Sequence, residues 1–210
     1  MYQNDKYPSK ALQDAVEAIQ SLPGVGSRSA LRLALHLLRQ PRESIRRFAG
    51  AIDALATDVR YCENCAMISD GPVCPICSDD RRNRLQICVV EDVRDVMSIE
   101  ATGQYHGLYH VLGGIISPIN GVAPSDLTIR LLLERVRALG AAPGEVEIIL
   151  ALSGDVEGET TSFYIYRQLE GCRCRFTTLA RGLAFGDGLE YADSTTLGRS
   201  IAARVEFKVQ

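Results

Sequence analysis

The sequence predicts an α/β protein in which a helical N-terminal segment precedes a mainly parallel β-sheet covered by helices. Three observations lead to this fold class. Apolar residues recur at helical spacing up to residue 59, four cysteines form two closely spaced Cys-x-x-Cys pairs, and short apolar runs alternate with helical stretches from residue 85 onward. Alternation of strands and helices is typical of parallel sheets that are covered on both faces.

The N-terminal segment is expected to form three helices. The first covers residues 9–21, the second covers residues 28–39 with Ser27 as its N-cap, and the third is periodic over residues 45–59. Pro41 separates the second helix from the third, because a proline ends a helix that precedes it.

The turn between the first two helices has the sequence Leu-Pro-Gly-Val-Gly at residues 22–26. Gly24 and Gly26 permit a tight turn and let backbone amides approach a phosphate closely. Arg28 and Arg32 follow one helical turn apart, so both can supply phosphate-binding cations. The pattern predicts DNA binding that ignores base sequence and weakens as salt rises. The alternative is a helical hairpin whose glycines only permit packing and whose arginines are solvated.

The cysteine cluster predicts a structural zinc site. Cys62 and Cys65 form one Cys-x-x-Cys pair, and Cys74 and Cys77 form the other after eight intervening residues. Four thiolates complete a tetrahedron around zinc and leave no open position for a substrate. Zinc is favoured over two disulfides, which need an oxidising compartment, and over a redox pair, which does not normally occur in tandem. An iron–sulfur cluster is disfavoured because the ferredoxin spacings are absent.

Charge is distributed unevenly along the chain. The net charge is −3, but residues 1–60 hold nine Lys and Arg against six Asp and Glu. An anionic polymer is therefore expected to meet the N-terminal part first. The sequence shows neither a signal-peptide pattern nor an apolar run near the length of a membrane span, so a cytoplasmic, membrane-free protein is expected.

The body of the chain is expected to contain four strands of the sheet and the helices that cover it. The predicted strands cover residues 85–90, 105–112, 146–152 and 173–180. The predicted helices cover residues 93–100, from Ser125 or Asp126 to 139, 160–169, and from Asp193 or Ser194 to about 204, followed by a short strand at 205–209.

Acidic residues follow two of these strands. Glu91 ends the first strand, and Asp155, Glu157 and Glu159 come after the third. Ligands of such sheets bind beyond the carboxyl ends of the strands, so these carboxylates are expected at one edge. They are suited to holding Mg²⁺ for phosphoryl chemistry, to docking a basic partner, or to forming a solvated rim, and the residues alone leave all three open.

These motifs resemble those of the bacterial RecR family of recombination mediators along nearly the whole chain. The matching runs are residues 22–26, the four clustered cysteines, and residues 88–91, 107–114, 116–118, 156–159, 180–183 and 189–193. The resemblance implies a helix-hairpin-helix segment at 1–60, a four-cysteine zinc finger at 61–80, a Toprim domain at 85–181 and a C-terminal oligomerisation segment at 182–210. It also implies a homo-oligomer, expected to be a tetrameric ring, that binds DNA and associates with the nucleoid.

The same resemblance implies a non-catalytic scaffold that acts with RecO, RecF or both. Such complexes help RecA to load onto single-stranded DNA covered by single-strand-binding protein, and the acidic Toprim surface meets RecO. Toprim enzymes carry Asp-x-Asp after the third strand, but here Ser153 replaces the first aspartate. Weak Mg²⁺ binding by the acidic residues stays open, and the alternative function is a Mg²⁺-dependent Toprim nuclease or phosphotransferase.

Overall fold

The structure is a computed structural model that describes residues 7–180, 182, 189–191 and 193–202. The chain divides into two compact units, Met1–Val59 and Arg60–Gln210. The strand predicted at 205–209 and the end of the last predicted helix lie outside the described residues. No helix in the described ranges combines the length and the apolar character that a membrane span requires.

The first unit contains three helices, α1 (Lys10–Gln20), α2 (Ser27–Leu38) and α3 (Arg42–Thr57). Helices α1 and α2 form a hairpin around a small core of Val16, Ala30 and Ala34. The prediction that Ser27 caps α2 is wrong, because the extended backbone of Gly26 occupies the N-cap position and its carbonyl accepts from the amide of Ala30. Ser27 is therefore the first helical residue.

The second unit begins with a small cysteine-rich finger. It consists of strands β1 (Arg60–Tyr61) and β2 (Ile68–Ser69), which pair antiparallel, and the short helix α4 (Pro75–Ser78). Cys74 caps α4 with its own sulfur, which accepts a hydrogen bond from the amide of Cys77. The finger thus places all four cysteines on two tight turns.

A four-stranded sheet forms the centre of the second unit. Its strands are β3 (Asn83–Val90), β4 (Gly107–Val111), β5 (Glu147–Ala151) and β6 (Arg175–Thr178), in the order β4-β3-β5-β6. Every neighbouring pair is parallel, as the sequence predicted. The helices of this unit are α5 (Val93–Glu100), α6 (Ile129–Ala138), α7 (Val156–Leu169) and α8 (Ser194–Ala202).

Both faces of the sheet are buried, which confirms the predicted covered parallel sheet. Successive residues of β3 point to opposite faces, so Val89 lies in one core and Val90 in the other. The larger core takes Leu132 from α6 and Ile165 from α7, whereas the smaller core takes Val96 from α5.

Two helix starts in the second unit differ from the predictions. The helix expected from Ser125 or Asp126 is interrupted, because Pro124–Asp126 forms a separate 3-10 turn and α6 begins after Thr128. Helix α7 begins at Val156 and not at residue 160. The Asp155 side chain accepts from the amide of Gly158, which caps α7 one turn earlier than the apolar pattern indicated.

Candidate zinc centre and nucleic-acid-binding elements

The four cysteines of the finger form a buried cluster that fits one zinc ion. The sulfurs of Cys62, Cys65, Cys74 and Cys77 all lie within 4.8 Å of one another, and all four residues are buried and free of disulfides. The sulfurs of Cys65 and Cys74 are 3.6 Å apart. A tetrahedron with Zn–S bonds of about 2.3 Å has edges of about 3.8 Å, so the cluster is of the right size. The closed four-sulfur set makes the zinc structural.

Backbone amides of the finger already point at the sulfurs. The amide of Cys74 donates to the sulfur of Cys62 at 3.3 Å, and the amide of Cys77 donates to the sulfur of Cys74 at 3.4 Å. Hydrogen bonds from the side chains of Cys65 and Cys77, and from the amide of Cys77, lower the pKa of the Cys74 thiol. The turn thus favours the thiolate at Cys74, which is the form of cysteine that binds zinc.

The finger is attached to the edge of the sheet. The amide of Val111 in β4 donates to the carbonyl of Cys65 at 2.9 Å. Met67 and Ile76 of the finger pack against the smaller sheet core as well as against the cysteines. Order in the zinc cluster is therefore coupled to order in the outermost strand, β4.

The glycine turn of the first unit has the backbone that the sequence required. Gly24 has a φ of +78°, in the left-handed region that favours glycine, and the amide of Val25 donates to the carbonyl of Leu22. Gly26 then opens α2 in an extended conformation. The first amides of α2 and the positive end of its dipole lie directly beyond the turn.

Helix α2 presents a row of exposed cations. Arg28, Arg32 and Arg39 are exposed, and together with His36 they line a shallow groove of about 400 Å³ on this helix. Within the described part of the chain, none of the three arginines is paired with a carboxylate. Arg39 was not among the predicted site residues, although it follows Arg32 by seven positions and so lies on the same side of the helix.

The predicted acidic residues lie at the carboxyl ends of β3 and β5. The Glu91 carboxylate accepts from the backbone amide of Ser153, and the Ser153 hydroxyl donates to Asp155 at 2.9 Å. Glu157 accepts from the hydroxyl of Ser117 at 2.6 Å. Glu159 is exposed in the first turn of α7. Glu91, Asp155 and Glu157 thus have defined protein donors.

These carboxylates do not form a compact ligand set in the described structure. Among the described residues, the four cysteines are the only group of three or more candidate ligands placed to hold one metal ion. Asp155 is engaged in capping α7, and Ser153 carries no carboxylate. Gly158 permits this arrangement, because a Cβ there would collide with the carbonyl and hydroxyl oxygens of Ser153.

The tyrosines and histidines around β4 serve packing and surface roles. Tyr105 donates to the carbonyl of Leu108, and Tyr109 donates to Glu100 at 2.7 Å. His110 is fully buried, with its Nε2 at 3.0 Å from Thr128 Oγ1. They form no nucleophile–base pair among the contacts described here.

The helix-hairpin, the four-cysteine finger and the parallel sheet define a class of modular DNA-associated proteins. Family models match in the same order: the RecR helix-hairpin-helix at residues 12–56, the RecR zinc finger domain with four cysteine ligands at 59–79, the Toprim domain at 86–179 and the RecR C-terminal segment at 182–205. The chain belongs to the RecR family of recombination proteins.

Full-length relatives support this assignment. The chain is 52% identical to the recombination protein RecR of Porphyromonas gingivalis over 202 aligned residues, and this alignment covers 96% of each chain. It is 53% identical over 204 residues to that of Flavobacterium johnsoniae, covering 97% of each chain. The protein of the same name from Parabacteroides distasonis is 52% identical over 207 residues, covering 98% of this chain and 97% of the relative.

Proposed function

We propose that this chain is a DNA-binding mediator of recombinational repair that works as a non-catalytic scaffold. In this role it acts with RecO, RecF or both and helps RecA to load onto single-stranded DNA covered by single-strand-binding protein. The observation that carries the proposal is the glycine turn of residues 22–26 followed by the exposed arginines of α2. The relatives named above are recombination proteins, which agrees with this role.

The proposed DNA contact is made to the phosphate backbone. Gly24 and Gly26 carry no side chain at the turn, and a Cβ at either position would have open space around it. The glycines are therefore not needed for packing within the described residues of this unit; the positive φ of Gly24 and access for a ligand account for them better. Arg28 and Arg32 then place two cations one turn apart beside the same helix end.

A scaffold role agrees with the arrangement of the acidic residues at the carboxyl ends of β3 and β5, called the acidic edge below. Asp155 is held as a helix cap and Glu91 accepts from a backbone amide, so both carboxylates have structural partners. Ser153 contributes no carboxylate where Toprim enzymes carry an aspartate. The alternative function, a Mg²⁺-dependent nuclease or phosphotransferase, would need these carboxylates to rearrange around the ion.

We propose that this acidic edge docks a basic surface of RecO. Exposed apolar side chains are close to these carboxylates in sequence. Val156, between Asp155 and Glu157, is 80% exposed, and Ile119, two residues after the Ser117 that donates to Glu157, is 92% exposed. Exposed apolar residues within an acidic surface are typical of protein interfaces. The acidic residues Glu91, Asp155, Glu157 and Glu159 are accordingly proposed as docking residues, with weak Mg²⁺ binding as a second use.

A homo-oligomer, with a tetrameric ring as the proposed form, agrees with the surface of α3. No residue of this helix is buried, and Phe48, Ile52 and Leu55 are exposed on one side of it. An apolar helical face of this kind usually packs against another helix. Location at the nucleoid follows from the proposed DNA binding.

The proposal is tested by replacing Arg28 and Arg32 with alanine and measuring the affinity for DNA by fluorescence anisotropy. The matched control replaces Arg46 and Arg47 with alanine. Both arginines are exposed on α3, and their replacement removes the same two positive charges. We expect weaker binding for the first pair and nearly unchanged binding for the second. Equal losses for both pairs would mean that only net charge matters, and no loss for the first pair would exclude the hairpin as the DNA contact.

Incubation of the pure protein with DNA and Mg²⁺ separates the scaffold from the enzyme. The scaffold predicts intact DNA at all times. Cleavage that is abolished by Glu91→Gln would instead support the Toprim enzyme. DNA binding is also measured with and without RecO. A protein that contacts DNA directly binds DNA without RecO, whereas an assembly hub binds DNA only when RecO is present.

A further inference from the structure

Arg135 lies between the zinc finger and the sheet. It projects from α6, and its Nη1 donates to the carbonyl of Tyr109 in the edge strand β4 at 2.7 Å. Its Nη2 lies 3.9 Å from the sulfur of Cys77, within reach of a hydrogen bond to sulfur. A single guanidinium thus contacts a backbone carbonyl of the sheet and one of the four zinc ligands.

The charge of Arg135 has no carboxylate partner in the described part of the chain. The neighbouring acid on the same helix, Glu134, pairs instead with Arg130 at 3.7 Å. Four thiolates around one Zn²⁺ leave a net charge of about −2, which favours a nearby cation. The sulfur of Cys77 is therefore the anionic group that the Arg135 guanidinium contacts, although the carboxylates of Glu63 and Glu134 line the same cavity.

An open cavity of about 380 Å³ brings solvent to this contact. Its lining includes Cys77 and Arg135 together with the charged residues Glu63, Arg84 and Glu134. Among the four cysteines only Cys77 lines this cavity, so its sulfur is the ligand most accessible from this side. The guanidinium lies beside that sulfur and can reduce its reactivity by donating to it.

We propose that Arg135 is a positioning residue of the zinc centre. It donates to the Cys77 thiolate, offsets part of the charge of the metal cluster, and links metal binding to the edge strand through the carbonyl of Tyr109. Zinc affinity and the stability of β4 should then depend on each other through this one side chain.

The first test measures zinc affinity by competition with a chromogenic chelator. Arg135→Gln keeps a hydrogen-bond donor but loses the positive charge and the second donor group of the guanidinium. It is expected to weaken zinc binding by roughly 10- to 100-fold. Arg135→Lys keeps the charge, so its affinity should fall between those of the native protein and Arg135→Gln. Arg137→Gln is the matched control, because Arg137 is exposed on the same helix and is in no ion pair with a carboxylate in the described part of the chain, and it should leave the affinity unchanged.

A second test separates this role from simple packing. In the cobalt-substituted protein, loss of the charged donor beside the Cys77 sulfur should shift the sulfur-to-cobalt charge-transfer band of Arg135→Gln to longer wavelength, with partial restoration by Arg135→Lys. Iodoacetamide should also alkylate Cys77 faster in Arg135→Gln than in the native protein, because the charged donor beside its sulfur is gone. An unchanged band and an unchanged rate of alkylation at Cys77 would overturn the proposal, even if the variant were less stable.

Unfolding by denaturant gives a third comparison that is informative if Arg135→Gln folds poorly. The cost of Arg135→Lys should be larger in the zinc-loaded protein than in the zinc-free protein, because only the loaded form carries the charged cluster. Equal costs in the two forms would show that Arg135 serves only the Tyr109 carbonyl and would contradict the proposed link to zinc.

Discussion

Buried His110 should make the second unit sensitive to mild acid. Its side chain is fully buried in β4, and its Nε2 contacts the carbonyl and the hydroxyl of Thr128, the residue that precedes α6. Burial, with a smaller contribution from the charge of Arg135, lowers the pKa of His110 from 6.5 to about 4. The Nδ1 atom of the ring has no hydrogen-bond partner among the described residues, so protonation would leave a buried charge there without compensation.

The size of the effect follows from linkage. Between pH 6.5 and about pH 4 the unfolded chain binds a proton at His110 that the folded chain excludes, so stability falls as the pH falls through this window. One pKa unit corresponds to about 1.4 kcal/mol, so the loss is roughly 2 kcal/mol between pH 7 and pH 5 and approaches roughly 3 kcal/mol below pH 4.

The perturbation is His110→Gln, which keeps a side-chain donor for Thr128 but does not titrate. Urea unfolding of both proteins in excess zinc, at pH 7 and pH 5, gives the free energy of unfolding at each pH. Contributions of the cysteines and carboxylates are common to both proteins and cancel in the difference. The stability of the variant should fall by about 2 kcal/mol less than that of the native chain between these pH values. Equal losses would refute the assignment of the acid sensitivity to His110.

Three further predictions follow from the site geometry. Gly158→Ala should destabilise the second unit by roughly 1–3 kcal/mol, because its Cβ would collide with Ser153; a melting temperature equal to that of the native protein would contradict this close approach. Replacing Phe48 and Leu55 with glutamate should lower the mass found by light scattering, whereas an unchanged mass would exclude the apolar side of α3 as a subunit contact. Removal of zinc by a chelator should lower the melting temperature of the second unit, and zinc addition should restore it; indifference to the chelator would contradict a structural metal.

The features set by local sequence were predictable. The spacing of the cysteines predicted their cluster, because two residues between the members of each pair fit a tight turn around one metal. The apolar runs at Leu85 and Val146 predicted the central strands, and helix α5 begins and ends where its pattern indicated. Gly24 adopts the positive φ that the tight turn between α1 and α2 needs.

The features set by distant contacts were not predictable. Helix α7 starts at Val156 because Asp155 caps it, and Gly158 in its first turn obscured the helical pattern. Glu157 meets Ser117, 40 positions earlier, which no periodicity reveals. Arg135 is likewise 58 positions from Cys77, and nothing in the local sequence distinguishes it from the other arginines of α6.

The dependence of DNA affinity on salt tests the central claim most directly. If the glycine turn and α2 bind the DNA backbone, the slope of log K against log salt should become shallower by about 0.9 for each lost phosphate contact on duplex DNA, or about 0.7 on single strands. The Arg28→Ala, Arg32→Ala protein should therefore lose roughly 1.4 to 1.8 of the slope per bound chain. A slope identical to that of the native protein would contradict phosphate binding by this helix pair.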